Sequence, residues 1–169
     1  MAVLVTGGAG YIGSHTVVEL IEANREVIII DNFSNSKPEV LNRIEKITGK
    51  RPKLYECDLL DLEATRKVFA ENEIDSVIHF AGLKAVGESC AQPLRYYSHN
   101  FDATFNLIRA MAENGVGTIV FSSSATVYGS PKTVPIREDF PLSTTNPYGE
   151  TKLMIERILK DLYVSDHEW

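Results

Sequence analysis

The sequence predicts an α/β fold, a doubly wound parallel sheet with helices on both faces. Three observations carry this reading. Short apolar, β-branched runs alternate with helix-period segments along all 169 residues. A glycine-rich turn, Gly7-Gly8-Ala9-Gly10-Tyr11-Ile12-Gly13, separates the first such run from the first helical segment. The second run, Val27-Ile28-Ile29-Ile30, ends in a carboxylate, Asp31, about 20 residues beyond the glycines.

The first strand is expected at 2–6, in Ala2-Val3-Leu4-Val5-Thr6. Gly7 or Gly8 permits a sharp turn out of it, Gly10 lets a phosphate approach the backbone, and Gly13 allows close packing of the next helix on the sheet. That helix is expected over 12–23, and its first N–H groups would face the phosphates. Strand, glycine turn, helix, strand and acid in this order form a dinucleotide-binding fingerprint, so the fold is expected to be Rossmann-like. A glycine turn alone would be compatible with no ligand at all. The second strand, 26–30, delivers Asp31. Its carboxylate suits ribose hydroxyls and would repel a 2′-phosphate. No arginine lies in Asn32-Phe33-Ser34-Asn35-Ser36, so NAD is expected rather than NADP. These small polar residues suit a ribose, and equally a loop capping the next helix.

Pro38 fits the first turn of a helix over 37–48, and Gly49 fits its stop. A strand follows near 53–57, a helix near 61–71 and a strand near 75–80. Asp58, just past the third of these strands, is suited to accept a bond from an adenine amino group. After the fourth, Ala81 and Gly82 leave room for a cofactor and Lys84 can neutralise phosphate. A helix over 93–114 leads to a strand near 117–122. That strand emerges into Ser122-Ser123-Ser124, and ligands of open parallel sheets sit beyond such carboxyl ends. Ser124 is therefore suited to hydrogen-bond a reacting hydroxyl or carbonyl; a serine-rich turn is the plainer reading. The last helix, near 148–164, runs into Asp166-His167-Glu168-Trp169 with no strand after it. The expectation is one NAD-binding domain over 1–169, truncated before a sixth strand, with no substrate-binding domain.

Two Tyr-x-x-x-Lys patterns occur, Tyr128 to Lys132 and Tyr148 to Lys152. Pro131 breaks any helix through the first pair. The second follows Asn146-Pro147, an N-cap and a first-turn proline. Met154, Ile155, Ile158, Leu159 and Leu162 then recur at helical spacing, so Tyr148 and Lys152 stand one turn apart on one face. The lysine charge would favour tyrosinate, lowering Tyr148 from its ordinary pKa of about 10 toward a general base. A plain surface pair is the alternative.

Composition bounds the remaining classes. A net charge of −6 gives nucleic-acid binding no electrostatic support. No run approaches the roughly 18 apolar residues of a membrane span, and the N-terminus lacks the basic region of a signal peptide. No nucleic-acid or membrane partner and a cytoplasmic location are expected. Cys57 and Cys90 lack metal-ligand spacing and are expected to be reduced thiols. The four histidines do not cluster, so no metal is expected.

With these residues in place, the chain resembles the extended short-chain dehydrogenase/reductase family, and within it the branch of nucleotide-sugar 4-epimerases. The resemblance rests on Val5–His15, Asp31–Ser36, Val77–Ser89, Phe121–Gly129 and Asn146–Lys152. It implies NAD-dependent interconversion of UDP-glucose and UDP-galactose by transient oxidation at sugar C4. Tyr148 would take the 4-hydroxyl proton, Ser124 would assist, and Lys152 would hold the ribose and tune Tyr148. It implies cofactor contacts from Gly7, Gly10, Tyr11, Ile12, Gly13, Asp31, Asn32, Phe33, Ser34, Asn35, Ser36, Asp58 and Leu59. Further contacts fall to Phe80, Ala81, Gly82, Leu83, Lys84, Ser122, Tyr148 and Lys152. It also implies a UDP-sugar substrate held by a further C-terminal half, and a homodimer paired through the helices near 93–114 and 148–164. Dehydratases of the family carry Asp-Glu where this chain has Ala125-Thr126, which argues against elimination of water. His99 stands where some relatives place a cofactor-contacting Asn, and Ala103 where a glycine is common. The alternatives are a non-catalytic NAD-binding module and another nucleotide-sugar oxidoreductase.

Overall fold

The computed structural model describes all residues from Met1 to Trp169. Its strands are β1 (Ala2–Thr6), β2 (Glu26–Asp31), β3 (Lys53–Glu56), β4 (Ile74–His79) and β5 (Thr118–Phe121). They form one sheet in the order β3-β2-β1-β4-β5, with every neighbouring pair parallel. The helices are α1 (Tyr11–Glu22), α2 (Glu39–Thr48), α3 (Leu62–Ala70), α4 (Val86–Ala91), α5 (Pro93–Glu113) and α6 (Pro147–Ser165). A single 3-10 turn, Ala125–Tyr128, follows β5. The strand order reverses at β1, and in such sheets ligands bind beyond the carboxyl ends at that reversal.

The chain divides into two compact units, Met1–Ala81 with Phe105–Phe121, and Gly82–Thr104 with Ser122–Trp169. The first unit contains the whole sheet. Strand residues alternate between its faces, and Val3, Val5, Val27 and Ile29 meet Val17 and Ile21 of α1 and Ile44 of α2 in one cluster. Leu4, Ile28, Ile30 and Val77 are equally buried, as expected of parallel strands covered on both sides. The edge strands β3 and β5 are the exceptions: each has one strand neighbour, and their residues are only half-buried or exposed.

In the second unit α6 packs against α4 and the 3-10 turn. The start of α6 follows the expected chemistry: Asn146 accepts from the Gly149 N–H at 2.8 Å and Pro147 occupies the first turn. Pro38, by contrast, forms the N-cap of α2 instead of lying in its first turn, because the helix begins at Glu39. The 6-residue helix α4 has no counterpart in the sequence reading. It is too short to show a helical period and is held by tertiary contacts. The Tyr96 hydroxyl accepts the Ala85 N–H at 3.0 Å and donates to Glu88 at 2.6 Å. That hydroxyl, with Arg95 beside it, holds the Glu88 carboxyl below the usual carboxylate range.

Ile29 is wholly buried on β2, between the sheet and its helices α1 and α2. Ile29→Ala is expected to cost about 2–5 kcal/mol of stability, read as a lower urea midpoint with an unchanged slope. A loss below about 1 kcal/mol would show that the core recloses around the gap.

Candidate active site

The first unit builds a cradle at the carboxyl ends of β1, β2 and β4. Gly7 leaves β1 at a φ of +67°, and a Cβ there would stand 2.9 Å from the Ala81 nitrogen. At Gly13 a Cβ would come within 2.3 Å of the Gly7 carbonyl oxygen and 2.9 Å of Gly8 Cα. Gly13 thus seats α1 on the glycine turn itself, a closer approach than the helix-to-sheet packing expected from sequence. Gly10 is the N-cap of α1 and brings no side-chain cap, so the first N–H groups of the helix have neither an intrahelical acceptor nor a capping side chain. Tyr11 and Ile12 in that first turn are exposed.

Asp31 joins this turn to the loop after β2. One carboxylate oxygen accepts the Ala9 N–H at 3.0 Å; the other accepts the Phe33 N–H at 2.9 Å and the Ser36 hydroxyl at 2.7 Å. Phe33 is held at a φ of +54°, which an L residue rarely adopts. Asn32 accepts the Ser34 N–H at 3.0 Å and donates to Asp58 at 2.8 Å. Asn35 and Ser36 lie on the same loop, and Leu59 is buried beside Asp58. Phe80 and Ala81, beyond β4, reach back to Thr6: the Phe80 N–H bonds the Thr6 carbonyl at 3.1 Å. Two supports here escaped the sequence reading. Asn106 donates to the carbonyls of Leu59 and Leu60 at 2.9 and 3.1 Å. His79, almost fully buried, pairs its Nδ1 with the Thr6 hydroxyl at 2.7 Å. Both are long-range bonds with no periodic signature.

The second unit carries the expected reactive side chains. Tyr148 is half-buried in the first turn of α6, and Lys152 follows one turn on. Lys152 is 6% exposed and donates to the Ser122 carbonyl at 2.8 Å. Burial pulls its ammonium down to about 8. Ser124 caps the 3-10 turn, its Oγ accepting the Thr126 N–H at 3.2 Å and the Thr126 hydroxyl at 2.9 Å. The turn-capping role expected as the plainer reading of Ser124 is present. Ser123 donates to Glu156 of α6, tying the serine segment to that helix. Leu83 is bonded through both its N–H and its carbonyl to the Asn100 side chain, at 2.8 and 3.0 Å. Gly82 lies against the same amide, while Lys84 is exposed. His99 Nδ1 is buried without a hydrogen-bond partner. The competing pair does not form, since the 3-10 turn ends at Tyr128 and Gly129 breaks it before the exposed Lys132.

Elsewhere, burial first and the Asp58 and Asp61 carboxylates second push the Cys57 thiol up to about 11. No helix is long and apolar enough to cross a membrane.

Residues 3–166 match the NAD dependent epimerase/dehydratase family. The chain belongs to that family. Among the members of this epimerase/dehydratase family, the chain is 65% identical over 169 residues to a UDP-glucose 4-epimerase of Bacillus subtilis (strain 168). That alignment covers 100% of this chain and 50% of the relative. A UDP-glucose 4-epimerase of Haemophilus influenzae is 60% identical over 162 residues, covering 95% of this chain and 48% of its own length. Among solved structures, the UDP-glucose 4-epimerase of Bifidobacterium longum in complex with NAD+ and UDP superposes with a TM-score of 0.96 at 54% identity. It is matched over 98% of this chain and 50% of that one. The chain thus spans about half the length of the relatives it matches.

The Lys152 ammonium gives a pH test. Its folded-state value of about 8 lies below the ordinary 10.5, so between those pH values the unfolded chain binds more protons. Stability from this group therefore rises as pH rises through that window. Relative to Lys152→Met, the wild type should gain on the order of 3 kcal/mol across it, measured by urea unfolding. A flat difference would show that burial does not depress the group.

Proposed function

We propose that this chain is the NAD-binding part of an enzyme that interconverts UDP-glucose and UDP-galactose by transient oxidation at sugar C4. One observation carries the reading furthest: the glycine turn leaves no space for a Cβ at Gly13 and opens onto an α1 terminus whose N–H groups lack a capping side chain. Such a terminus suits a pyrophosphate. The second unit adds support, since the buried His99 Nδ1 there has no partner within the chain. The residues fit a dinucleotide.

In this reading Gly7, Gly10, Tyr11, Ile12 and Gly13 hold the pyrophosphate. Asp31 and the loop Asn32–Ser36 hold the adenosine ribose, with Asp58 and Leu59 beside the adenine. Phe80, Ala81, Gly82, Leu83, Lys84 and Ser122 complete the cofactor contacts. NAD, when bound, supplies the hydride acceptor and donor. Tyr148 removes the proton from the sugar 4-hydroxyl and later returns it. Ser124 hydrogen-bonds the reacting oxygen, and its two bonds from Thr126 fix where its Oγ stands. Lys152 serves both the ribose and the positive charge that a tyrosine base requires. Ala125-Thr126, in place of two acids, leaves the 3-10 turn without a general acid for dehydration.

The relatives' length supports a UDP-sugar pocket outside these residues, so substrate recognition belongs to the longer protein. A cytoplasmic location and a homodimer paired through α5 and α6 complete the reading. Their exposed Leu94, Met154, Tyr163 and Val164 are available for such pairing, and no nucleic-acid or membrane partner is part of the reading.

Calorimetric titration of this chain is expected to give NAD binding and at least tenfold weaker NADP binding. Asp31→Asn should narrow that gap. Equal affinity for both dinucleotides in the wild type would overturn the role of Asp31. In a protein of the relatives' length, Tyr148→Phe should bind NAD normally and lose about a hundredfold or more of its epimerisation rate; undiminished turnover would remove Tyr148 as the base.

A further inference from the structure

Three hydroxyls stand in a row where β5 ends, and the proposed chemistry uses one of them. Ser122, Ser123 and Ser124 are all half-buried. Ser124 is extended, at a φ of −153° and a ψ of 147°, and its Oγ accepts two bonds from Thr126 of the 3-10 turn. The Ser123 hydroxyl goes instead to α6, where it donates to the Glu156 carboxylate. The residue before it is held by the same helix, since Lys152 donates to the Ser122 carbonyl at 2.8 Å. Tyr148, Lys152 and Glu156 follow one another at four-residue spacing along α6, so they share a face. One helix thus carries the proposed base and grips two consecutive residues that lead to Ser124.

Glu156 is also out of place by polarity. It is half-buried, between the buried Ile155 and the exposed Arg157, in a helix whose Leu153 and Ile155 face the interior. A carboxylate withdrawn from water is costly unless it is hydrogen-bonded, and Ser123 supplies that bond. A single bond to the Ser122 carbonyl leaves the next peptide able to pivot; a second bond, one residue further on, fixes its direction. We propose that Glu156 is a positioning residue: by holding the Ser123 hydroxyl it fixes the serine segment on α6, and so sets where Ser124 stands relative to Tyr148. The inference rests on the reading that Ser124 and Tyr148 perform the proton transfer. A displacement of about 1 Å between such groups can cost a hundredfold in rate.

The test compares Glu156→Leu, which removes the acceptor, with Glu156→Gln, whose amide oxygen can still accept from Ser123. Amide hydrogen exchange is read in segment 122–126 and, as an internal reference, in β1. Glu156→Leu is expected to speed exchange in 122–126 several-fold with β1 unchanged, and Glu156→Gln to stay within about twofold of wild type. Ser123→Ala should reproduce Glu156→Leu, and the double variant should add nothing to either single change, as for two halves of one contact. If Glu156→Leu fails to fold, Ser123→Ala against wild type still decides. In a protein of the relatives' length, Glu156→Leu should lower kcat about tenfold or more, counted per bound NAD, with KM within about twofold, and Glu156→Gln should restore it. Exchange in 122–126 that ignores both Glu156→Leu and Ser123→Ala, or that changes only in step with β1, would overturn the tie. Faster exchange with an undiminished kcat per bound NAD would overturn the positioning role. Absence of epimerisation by the wild type would overturn the proposed reaction alone, because the exchange comparison needs no substrate.

Discussion

The carboxylate of Asp31 is the contact on which the carboxyl end of the sheet depends. The glycine turn after β1 and the loop after β2 are short, polar and without regular structure, and neither has a core of its own. One acid at the end of β2 accepts from Ala9 in the first, and from Phe33 and Ser36 in the second. Bonds to an ionised acceptor are about twice as strong as neutral ones, which is what a backbone held at a positive φ at Phe33 requires. The same oxygens that suit a ribose therefore shape the surface on which a ribose would rest. Preorganisation of this kind reduces the ordering cost of binding.

Much of this architecture was legible in the chain. The apolar β-branched runs gave each strand to within a residue or two, and glycine, proline and asparagine marked several helix ends. Local chemistry explains the success: a cap such as Asn146 acts on the Gly149 N–H only three residues away. What was hidden lies at longer range. Thr6 meets His79 across 73 residues, and Asn106 reaches Leu59 across 47. Such pairs impose no period on the sequence and are visible only after the strands are stacked. Helix α4 was hidden for a related reason, its stability coming from Tyr96 and not from its own 6 residues.

The candidate site divides the same way. The i, i+4 spacing of Tyr148 and Lys152 is a property of one helix and was readable at once. The degree to which Lys152 is withdrawn from water is set by tertiary packing, and no local pattern announces it. Gly13 was expected to approach the sheet, yet its tightest neighbour is the carbonyl of Gly7 in the turn. A fingerprint identifies which positions must lack a side chain more reliably than it identifies what each of them touches.

The environment of Cys57 has a practical consequence. Its thiol is raised to about 11, so at neutral pH the thiolate fraction is on the order of one in ten thousand. Alkylating and disulfide-forming reagents attack through the thiolate and will largely pass it by. Cys90 is exposed and becomes the natural attachment point for a fluorophore or spin label. Within these 169 residues the difference directs thiol reagents toward Cys90, at the end of α4, ahead of Cys57.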